Sequence, residues 1–384
     1  MRKPDCYLVR LGEQALKSRQ VQRLWMKILL NNIKSGFKKK VKIEIDQNRI
    51  FIFTDDKKIE DILERTFGIT SFSPVWMCSS DMKEIKKLAN EIGKNIMKIK
   101  KEESFAVRAR RAGIHDFTSQ DVGREAGSAV WKVAKSKIDL TKPDKKLFIE
   151  VRQTRAYMYL EKINGPGGVP IGTGGKVVVL MSGGIDSPVA AWMMMKRGCD
   201  VILLYADNTP YSDKTNLNKV KNVSKILDKW YVGRKLKIYS FSNGKILKEF
   251  IKKCNIDMTC LLCKRVMYRA AEGLAKKENA LAIVTGEALA QVASQTLMNI
   301  KVLDEASDMP ILRPLICMDK SEIIKTAECI GTYNASIMKA KECEAVPEHP
   351  ITKGKIRDIK REEKKIELNK LINKSLKGIK QLKN

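Results

Sequence analysis

The strongest chemical signal in the chain is the polar run Ser182-Gly183-Gly184-Ile185-Asp186-Ser187, which lies between the apolar stretch 177–181 and a helical pattern opening at Pro188. Residues 177–181 predict a buried parallel strand, and Pro188 suits the first turn of a helix. A strand that turns sharply into a helix offers unpaired backbone N–H groups and the positive end of the helix dipole, which together make an anion site. Gly183 and Gly184 lack a Cβ, so phosphate oxygens can approach the backbone closely, while Ser182 and Ser187 add hydroxyl donors. A Walker A loop is excluded: Gly175-Lys176 runs into Val177, and Pro170 stands where its first glycine belongs. The competing reading is an ordinary surface turn. A second signal is Cys260-Leu261-Leu262-Cys263, a CxxC that fits a redox pair, half a zinc site or an iron–sulfur site. Only two histidines, His115 and His349, are present, so a mixed Cys/His zinc site is hard to assemble; Cys254 offers the additional thiolate of an all-cysteine one.

Elements must hold these groups. Beyond Ser187 strand and helix patterns alternate, with strands at 201–205, 236–241 and 280–285 and helices at 214–229, 245–253, 264–276 and 320–330. In an open parallel sheet ligands sit at the carboxyl ends of strands, which singles out the loop at 182–187, Tyr205-Ala206 and Gly286-Glu287. The N-terminal region reads as a strand at 6–11, a basic amphipathic helix at 18–33, a hairpin of 41–46 and 49–53 across Gln47-Asn48, a helix at 59–67 and a strand at 69–75. That βαββαβ order is a ferredoxin-like unit. Next come a helix at 81–99, a strand at 105–111 with alternating apolar and basic residues, a helix at 119–133 with Ser119 as its N-cap, and strands at 147–151 and 156–160. The Gly/Pro-dense segment 165–175 reads as a linker.

Composition narrows the partners. The 384 residues carry 74 Lys+Arg against 44 Asp+Glu, a net charge of +30, which points to a polyanion, most simply nucleic acid. No secretory h-region follows Met1-Arg2-Lys3-Pro4-Asp5, and no apolar run reaches membrane-spanning length, so a soluble, cytoplasmic protein without membrane contact is expected. Nine scattered cysteines fit reduced thiols or cluster ligands better than a disulfide framework. Cys6, Cys78, Cys199, Cys317 and Cys329 fall in apolar or helical patterns and read as small core residues.

The loop at 182–187 after its hydrophobic strand resembles the PP-loop of ATP pyrophosphatases, and residues 105–111, 115–119 and 139–144 together resemble a THUMP domain, whose members bind tRNA; Arg108, Arg110 and Arg111 would each neutralise a phosphate. With Gly12-Glu13, Leu16-Lys17-Ser18, Lys264-Arg265, Thr285-Gly286-Glu287-Ala288-Leu289, Gln291-Val292-Ala293-Ser294-Gln295-Thr296 and Arg313-Pro314-Leu315, the chain from about residue 6 to 345 resembles the tRNA 4-thiouridine synthetase (ThiI) family. The resemblance implies an α/β and α+β chain: a ferredoxin-like domain at 1–76, a THUMP domain at 77–164, the linker 165–175, a PP-loop ATP pyrophosphatase domain with a mostly parallel, Rossmann-like sheet at 176–350, and a basic helical tail at 351–384. It implies ATP-dependent thiolation of uridine 8 of tRNA.

Carried over residue by residue, the resemblance places ATP at Leu180, Met181, Ser182, Gly183, Gly184, Asp186, Ser187, Tyr205, Ala206, Lys264, Gly286 and Gln295. It assigns activation to Asp186 and Lys320, with Mg²⁺ on Asp186, and sulfur transfer to Cys343. Many bacterial members draw a persulfide from a C-terminal rhodanese domain; residues 353–384 offer only a Lys-rich helical pattern. The chain is therefore similar to rhodanese-lacking archaeal members, in which Cys260, Cys263 and Cys343 would hold an iron–sulfur cluster (4Fe-4S or 3Fe-4S), zinc being the alternative. The sulfur donor, sulfide or a persulfide carrier such as a cysteine desulfurase, stays open, as does a homodimer. The rival readings are another PP-loop RNA modifier and a non-catalytic tRNA-binding protein.

Overall fold

The computed structural model describes residues 2–46 and 49–382. The chain divides into two compact units, one formed by Met1–Ser18, Phe37–Glu64 and Gly68–Gly167, the other by Arg19–Gly36, Arg65–Phe67 and Gly168–Asn384. The first unit contains β1 (Cys6–Leu11), β2 (Lys42–Asp46), β3 (Arg49–Phe53), β4 (Ile69–Ser79), β5 (Ser104–Arg111), β6 (Lys137–Ile138), β7 (Lys145–Val151), β8 (Arg155–Tyr159) and β9 (Ile163–Asn164). They form one sheet in the order β2-β3-β1-β4-β8-β7-β5-β6, with β9 on β4. The turn expected at Gln47-Asn48 lies outside the described residues.

The N-terminal helices are α1 (Arg19–Gly36), α2 (Ile59–Arg65), α3 (Met82–Asn95) and α4 (Ser119–Ala134), so the βαββαβ order is present. Strand β4 runs four residues beyond the expected end at 75. Ile69 to Val75 pair with β1, whereas Trp76 to Ser79 pair with β8, so the boundary expected at 76/77 falls inside one continuous strand. Helix α4 is capped by Thr118, not Ser119: the Thr118 hydroxyl accepts from Asp121 N and the Asp121 carboxylate accepts from Thr118 N, a capping box. Helices α3 and α4 cover the sheet face that carries Phe105, Leu147, Ile149 and Met158. Because side chains alternate along a strand, Phe148 and Tyr157 turn to the opposite face, where Phe51 stacks on Tyr157 at 4.3 Å and Phe148 on Tyr159 at 5.1 Å.

The second unit holds β10 (Lys176–Met181), β11 (Asp200–Asp207), β12 (Lys237–Ser242), β13 (Ala282–Val284), β14 (Ile311–Leu312) and β15 (Lys380–Gln381), in the order β14-β13-β10-β11-β12-β15. All pairs are parallel except β12 with β15. Its further helices are α5 (Asp186–Lys196), α6 (Lys214–Lys229), α7 (Gly244–Lys253), α8 (Thr259–Glu278), α9 (Leu297–Asp304), α10 (Lys320–Ile330), α11 (Tyr333–Ser336), α12 (Ile356–Glu363) and α13 (Leu368–Lys377). Val177 and Val179 pack to one side of the sheet with helices α5 and α6, Val178 to the other with α8, which is why the strand reads as an unbroken apolar run.

Three expectations are revised. Helix α1 belongs to the second unit, where Asn32 Nδ2 donates to Ile171 O at 3.0 Å and Arg234 donates to Asn32 Oδ1 at 3.4 Å. The glycine-rich segment is not a free linker: Gly165 and Gly167 N–H groups bond Thr70 O and Ile69 O, and Gly172 and Gly174 both donate to Gly198 O. The basic tail is not one helical segment but two helices, α12 and α13, packed on the second core. Ile359, Ile366, Leu368 and Ile372 are buried in the second core, and the fully buried Arg265 of α8 is held by Glu363 at 2.8 Å and Glu305 at 2.7 Å. The apolar residues of 356–372 follow a helical period that net basicity masks.

Candidate active site

Helix α5 begins at the loop, and its N-cap residue Ile185 provides no side-chain cap, so the first N–H groups of the helix keep no side-chain acceptor. The loop braces itself. Ser182 N donates to Ser187 Oγ at 2.9 Å, Gly184 N donates to Ser182 Oγ at 3.3 Å, and the Ser187 hydroxyl reaches Met181 Sδ at 3.3 Å. Gly286, after β13, presses on the base of this helix: a Cβ there would stand 2.7 Å from Ser187 N and 2.9 Å from Asp186 C. Gly184, by contrast, would bring a Cβ no nearer than 3.4 Å, to Ser182 Oγ. The two glycines thus serve different purposes, backbone packing for Gly286 and open access for Gly184. Gln295 is buried with its Oε1 unpartnered.

Beside the loop, Lys320, the first residue of α10, is ion-paired with Asp186, half of its side chain in solvent. Asp186 therefore faces a cation already, where the sequence reading expects a ligand for Mg²⁺. Lys264 on α8 pairs with the buried Glu287 at 3.0 Å. Glu287 also accepts from Tyr268 OH at 2.8 Å, Thr285 Oγ1 at 3.1 Å and Arg313 Nε at 2.9 Å. Burial alone pushes its carboxyl up, but the field of Lys264, the Tyr268 hydrogen bond and the field of Arg313 outweigh that and hold it below the usual carboxylate range. Glu287, Lys264, Thr285 and Arg313 were all visible in sequence motifs; their meeting around one carboxylate, with Tyr268, was not.

Cys260 and Cys263 lie one turn apart on the first turns of α8 rather than in a loop before it. Cys263 packs with Leu247 and Ala345, and Cys343 joins the same cluster. Burial pushes the Cys263 thiol up to about 12, with the nearby Cys343 and Cys260 adding to the rise. Among the described residues no three His, Cys, Asp or Glu side chains are gathered closely enough to hold a metal ion. Cys254 turns away and donates to Glu362 O at 3.4 Å, so it does not supply an additional zinc thiolate. Of the cysteines read as core, Cys6 and Cys199 are buried, whereas Cys317 and Cys329 are exposed. A pocket of about 200 Å³ is lined by Leu180, Met181, Ser182 and Gly183 of the loop, Tyr205 and Ala206 of β11, and Cys343.

In the first unit, Arg108, Arg110 and Arg111 are exposed, and Arg108 and Arg110 line one groove while Arg111 does not. Alternation sends Arg108 and Arg110 to the helix-free face and Arg111 to the other, where it donates to Gly113 O at 3.2 Å. Arg108 is tied to Leu140 O. Arg110 lines a groove of about 430 Å³ with Lys146, Phe148, Tyr159 and Lys162. Lys162 lies 5.0 Å over the Phe148 ring and Arg10 4.5 Å over Tyr159. Burial, together with Arg10 and Arg110, lowers the Lys162 pKa, as expected of a cation crowded by others. Lys146, Phe148, Tyr159 and Lys162 escaped the sequence reading because cations and rings separated in sequence meet only across the sheet.

A glycine-bearing loop at the carboxyl edge of a parallel sheet, with lysine–carboxylate ion pairs beside it and a separate cationic, aromatic sheet face, fits an ATP-dependent RNA-modifying enzyme of the PP-loop class. Family models match in the same order: the ThiI ferredoxin-like domain at residues 6–73, the THUMP domain at 79–161, and "Thiamine biosynthesis protein (ThiI)" at 172–368. The chain is 42% identical to the "Probable tRNA sulfurtransferase" of Methanosarcina mazei over 98% of this chain and 95% of that one. It is 43% identical to the protein of that name from Methanothermobacter thermautotrophicus, covering 91% and 90%. A solved 4-thiouridine synthetase, in complex with RNA and bound ATP, superposes with a TM-score of 0.92 at 29% identity over 99% of this chain and 100% of that one. A second solved structure, PH1313 of Pyrococcus horikoshii Ot3, superposes at 0.65 with 26% identity over 85% and 99%. The chain belongs to the tRNA sulfurtransferase (ThiI) family. Among the described residues no helix is long and apolar enough to cross a membrane.

Proposed function

We propose that the chain forms 4-thiouridine at position 8 of tRNA, activating the uridine with ATP and delivering sulfur through Cys343. The observation that carries this is the shared pocket: the phosphate loop and the Cys343 side chain line one cavity, so activated base and sulfur need not travel between sites. ATP is held by the 180–187 segment, Tyr205, Ala206, Gly286 and the free acceptor of Gln295. The uridine, flipped from its stack to free its O4, attacks the α-phosphate, and pyrophosphate leaves. Lys264, Lys320 and the N-terminal amides of α5 meet the negative charge that builds there. Glu287 holds Lys264 in place, so the ammonium is aimed before ATP arrives.

Asp186, with its carboxylate at the loop and part of its surface in solvent, fits one Mg²⁺ ligand, releasing Lys320 toward the phosphates. Bound Mg²⁺ would neutralise charge on the departing pyrophosphate. Cys260, Cys263 and Cys343 are three thiols of the kind that hold an iron–sulfur cluster, which would supply an iron able to take up sulfide. Cys263 and Cys343 share one side-chain cluster and Cys260 lies a helical turn from Cys263, so the three would have to draw together to hold it. Sulfide attacks C4 directly and expels AMP. Where the sulfur arrives as a Cys343 persulfide, its terminal sulfur attacks C4 and AMP leaves; a second cysteine thiolate then attacks Cys343 Sγ, releasing 4-thiouridine and leaving a disulfide that an external thiol reduces. Sulfide or a persulfide carrier such as a cysteine desulfurase is the donor, and the helix-free face around Arg110 and Lys162 is the surface for tRNA. The test is a pair of variants. Asp186→Ala should release no pyrophosphate while binding tRNA normally, and Cys343→Ser should release pyrophosphate but stall with AMP still on the uridine, making no 4-thiouridine. Normal pyrophosphate release by the first, or full thiolation by the second, refutes the assignment.

A further inference from the structure

Two asparagines occupy equivalent places in the second unit. Asn208 follows β11 and Asn243 follows β12, and these parallel neighbours are paired up to Asp207 and Ser242, the residues just before them. Asn243 is fully buried at the N-cap of α7, a position where asparagine ordinarily turns its side chain onto the helix N–H groups, yet it makes no such bond. Its Nδ2 instead donates to Cys263 Sγ at 3.2 Å and to Asn208 Oδ1 at 2.8 Å. Asn208 Nδ2 donates in turn to Cys343 Sγ at 3.8 Å. The middle link couples the two amides: turning Asn243 over alone would set its oxygen against Asn208 Oδ1, two acceptors in contact. The pair therefore reverses only together, into the arrangement that accepts from two thiols, while the orientation present donates to two sulfurs. The orientation comes at the cost of Asn243 Oδ1, buried and unpartnered.

Cys343 is brought to this chain of amides by backbone. Lys341 N donates to Thr215 Oγ1 at 3.2 Å, Asn216 Nδ2 to Lys341 O at 2.7 Å, and Glu344 N to Tyr211 O at 2.9 Å. All three partners belong to the segment that begins at Asn208. The loop holding the cysteine and the amide facing it are thus one assembly.

We infer that Asn208 and Asn243 are the positioning residues of the sulfur site, a directed pair of amides that presents N–H donors to Cys343 and Cys263 whenever those sulfurs act only as acceptors. A thiolate, a persulfide and a metal-bound sulfur all have that character, whereas a thiol has its own proton to place. The donors orient the Cys343 sulfur toward the pocket and stabilise negative charge on it. This inference rests on the reading of Cys343 as the sulfur carrier and goes beyond it by naming what holds the sulfur.

The test uses the full-length, metal-free, reduced protein charged with inorganic polysulfide. The Cys343 thiolate attacks a polysulfide sulfur, forms Cys–S–S⁻ and expels a polysulfide one sulfur shorter, so no external oxidant or reductant is consumed. Persulfide on each cysteine is counted by peptide mass spectrometry after alkylation, and ATP affinity is measured by calorimetry on the same samples. Asn208→Ala, at a half-exposed position, should lower persulfide at Cys343 at least five-fold with ATP affinity within two-fold of wild type. Asn243→Ser, which keeps a donor in the buried position, should retain more than Asn243→Ala. Equal persulfide at Cys343 in Asn208→Ala and wild type overturns the inference and leaves the carrier reading standing. No persulfide at Cys343 in the wild type overturns both.

Discussion

Replacing Gly286 with alanine separates packing from ligand access at the phosphate loop. The new methyl would stand 2.7 Å from Ser187 N and 2.9 Å from both Asp186 C and Ser187 Cα, all backbone atoms, where ordinary contact begins at 3.4 Å. Neither side has a flexible tip to move aside, so β13 and the start of α5 must part by about 0.7 Å. Overpacking of this kind costs about 1–3 kcal/mol of stability. The same displacement moves the N–H groups that receive phosphate, and a loss of about 1.4 kcal/mol there is tenfold in ATP affinity. Gly184→Ala is the matched comparison, since its Cβ meets nothing nearer than 3.4 Å. It should leave stability within about 0.5 kcal/mol of wild type and weaken only ATP binding, because its methyl points into the space the phosphates need. Urea denaturation without nucleotide and calorimetric titration with ATP give the two numbers for each variant. The reasoning fails if Gly286→Ala matches wild type in both, or if Gly184→Ala destabilises the free protein as much as Gly286→Ala does.

Glu287→Gln leaves Lys264 and Arg313 around a neutral amide and should cost about 3–5 kcal/mol, as loss of one partner from a buried pair does. The folded-state pKa of Glu287 lies below its ordinary 4.5, so its contribution is present above that value and is lost as pH falls through the lower, folded one. The wild type should therefore lose more stability on acidification across that window than the variant, and parallel acid-titration curves would reject the role. In Arg110→Ala/Lys162→Ala, tRNA affinity should fall and the slope of log K against log salt should shrink by about 1.5, two phosphate contacts' worth; an unchanged slope removes this face as the tRNA surface. Deleting residues 1–167 takes α1 away with the first unit, so the remaining chain should melt several degrees below a version that keeps residues 19–36 as a separately supplied peptide, and equal melting would show α1 to be dispensable.

What the sequence disclosed was whatever is contiguous. The strand–loop–helix at 176–196, the parallel alternation after it and the βαββαβ order at the start are each written in local period and turn chemistry. Residues 180–183, Tyr205, Ala206 and Cys343, each singled out in the sequence, line one pocket. Hidden were relationships between distant segments. Asn208 and Asn243 lie at strand ends, the places the parallel-sheet rule recommends, but nothing local shows that their amides point to cysteines. The tail at 356–381 was misjudged because its charge conceals an apolar stripe. The three arginines of β5 were grouped by adjacency, while strand geometry sends neighbours to opposite faces.

The way the ATP-binding unit is closed has a consequence for its biosynthesis. Its core takes in α1 near the N-terminus, while β15 shields the β12 edge of its sheet and Glu363 neutralises the buried Arg265 on the helix that carries Cys260, Cys263 and Lys264. A nascent chain leaving the ribosome can complete the first unit's sheet once residue 164 has emerged, but it must hold α1 in waiting for some two hundred residues more. Until residues 363 to 381 follow, Arg265 has Glu305 but not Glu363 and the β12 edge of the sheet stays open, so the helix carrying Cys260, Cys263 and Lys264 is not yet locked. The sheet of the first unit is therefore finished in time before the helix bearing Cys260, Cys263 and Lys264 is held in place.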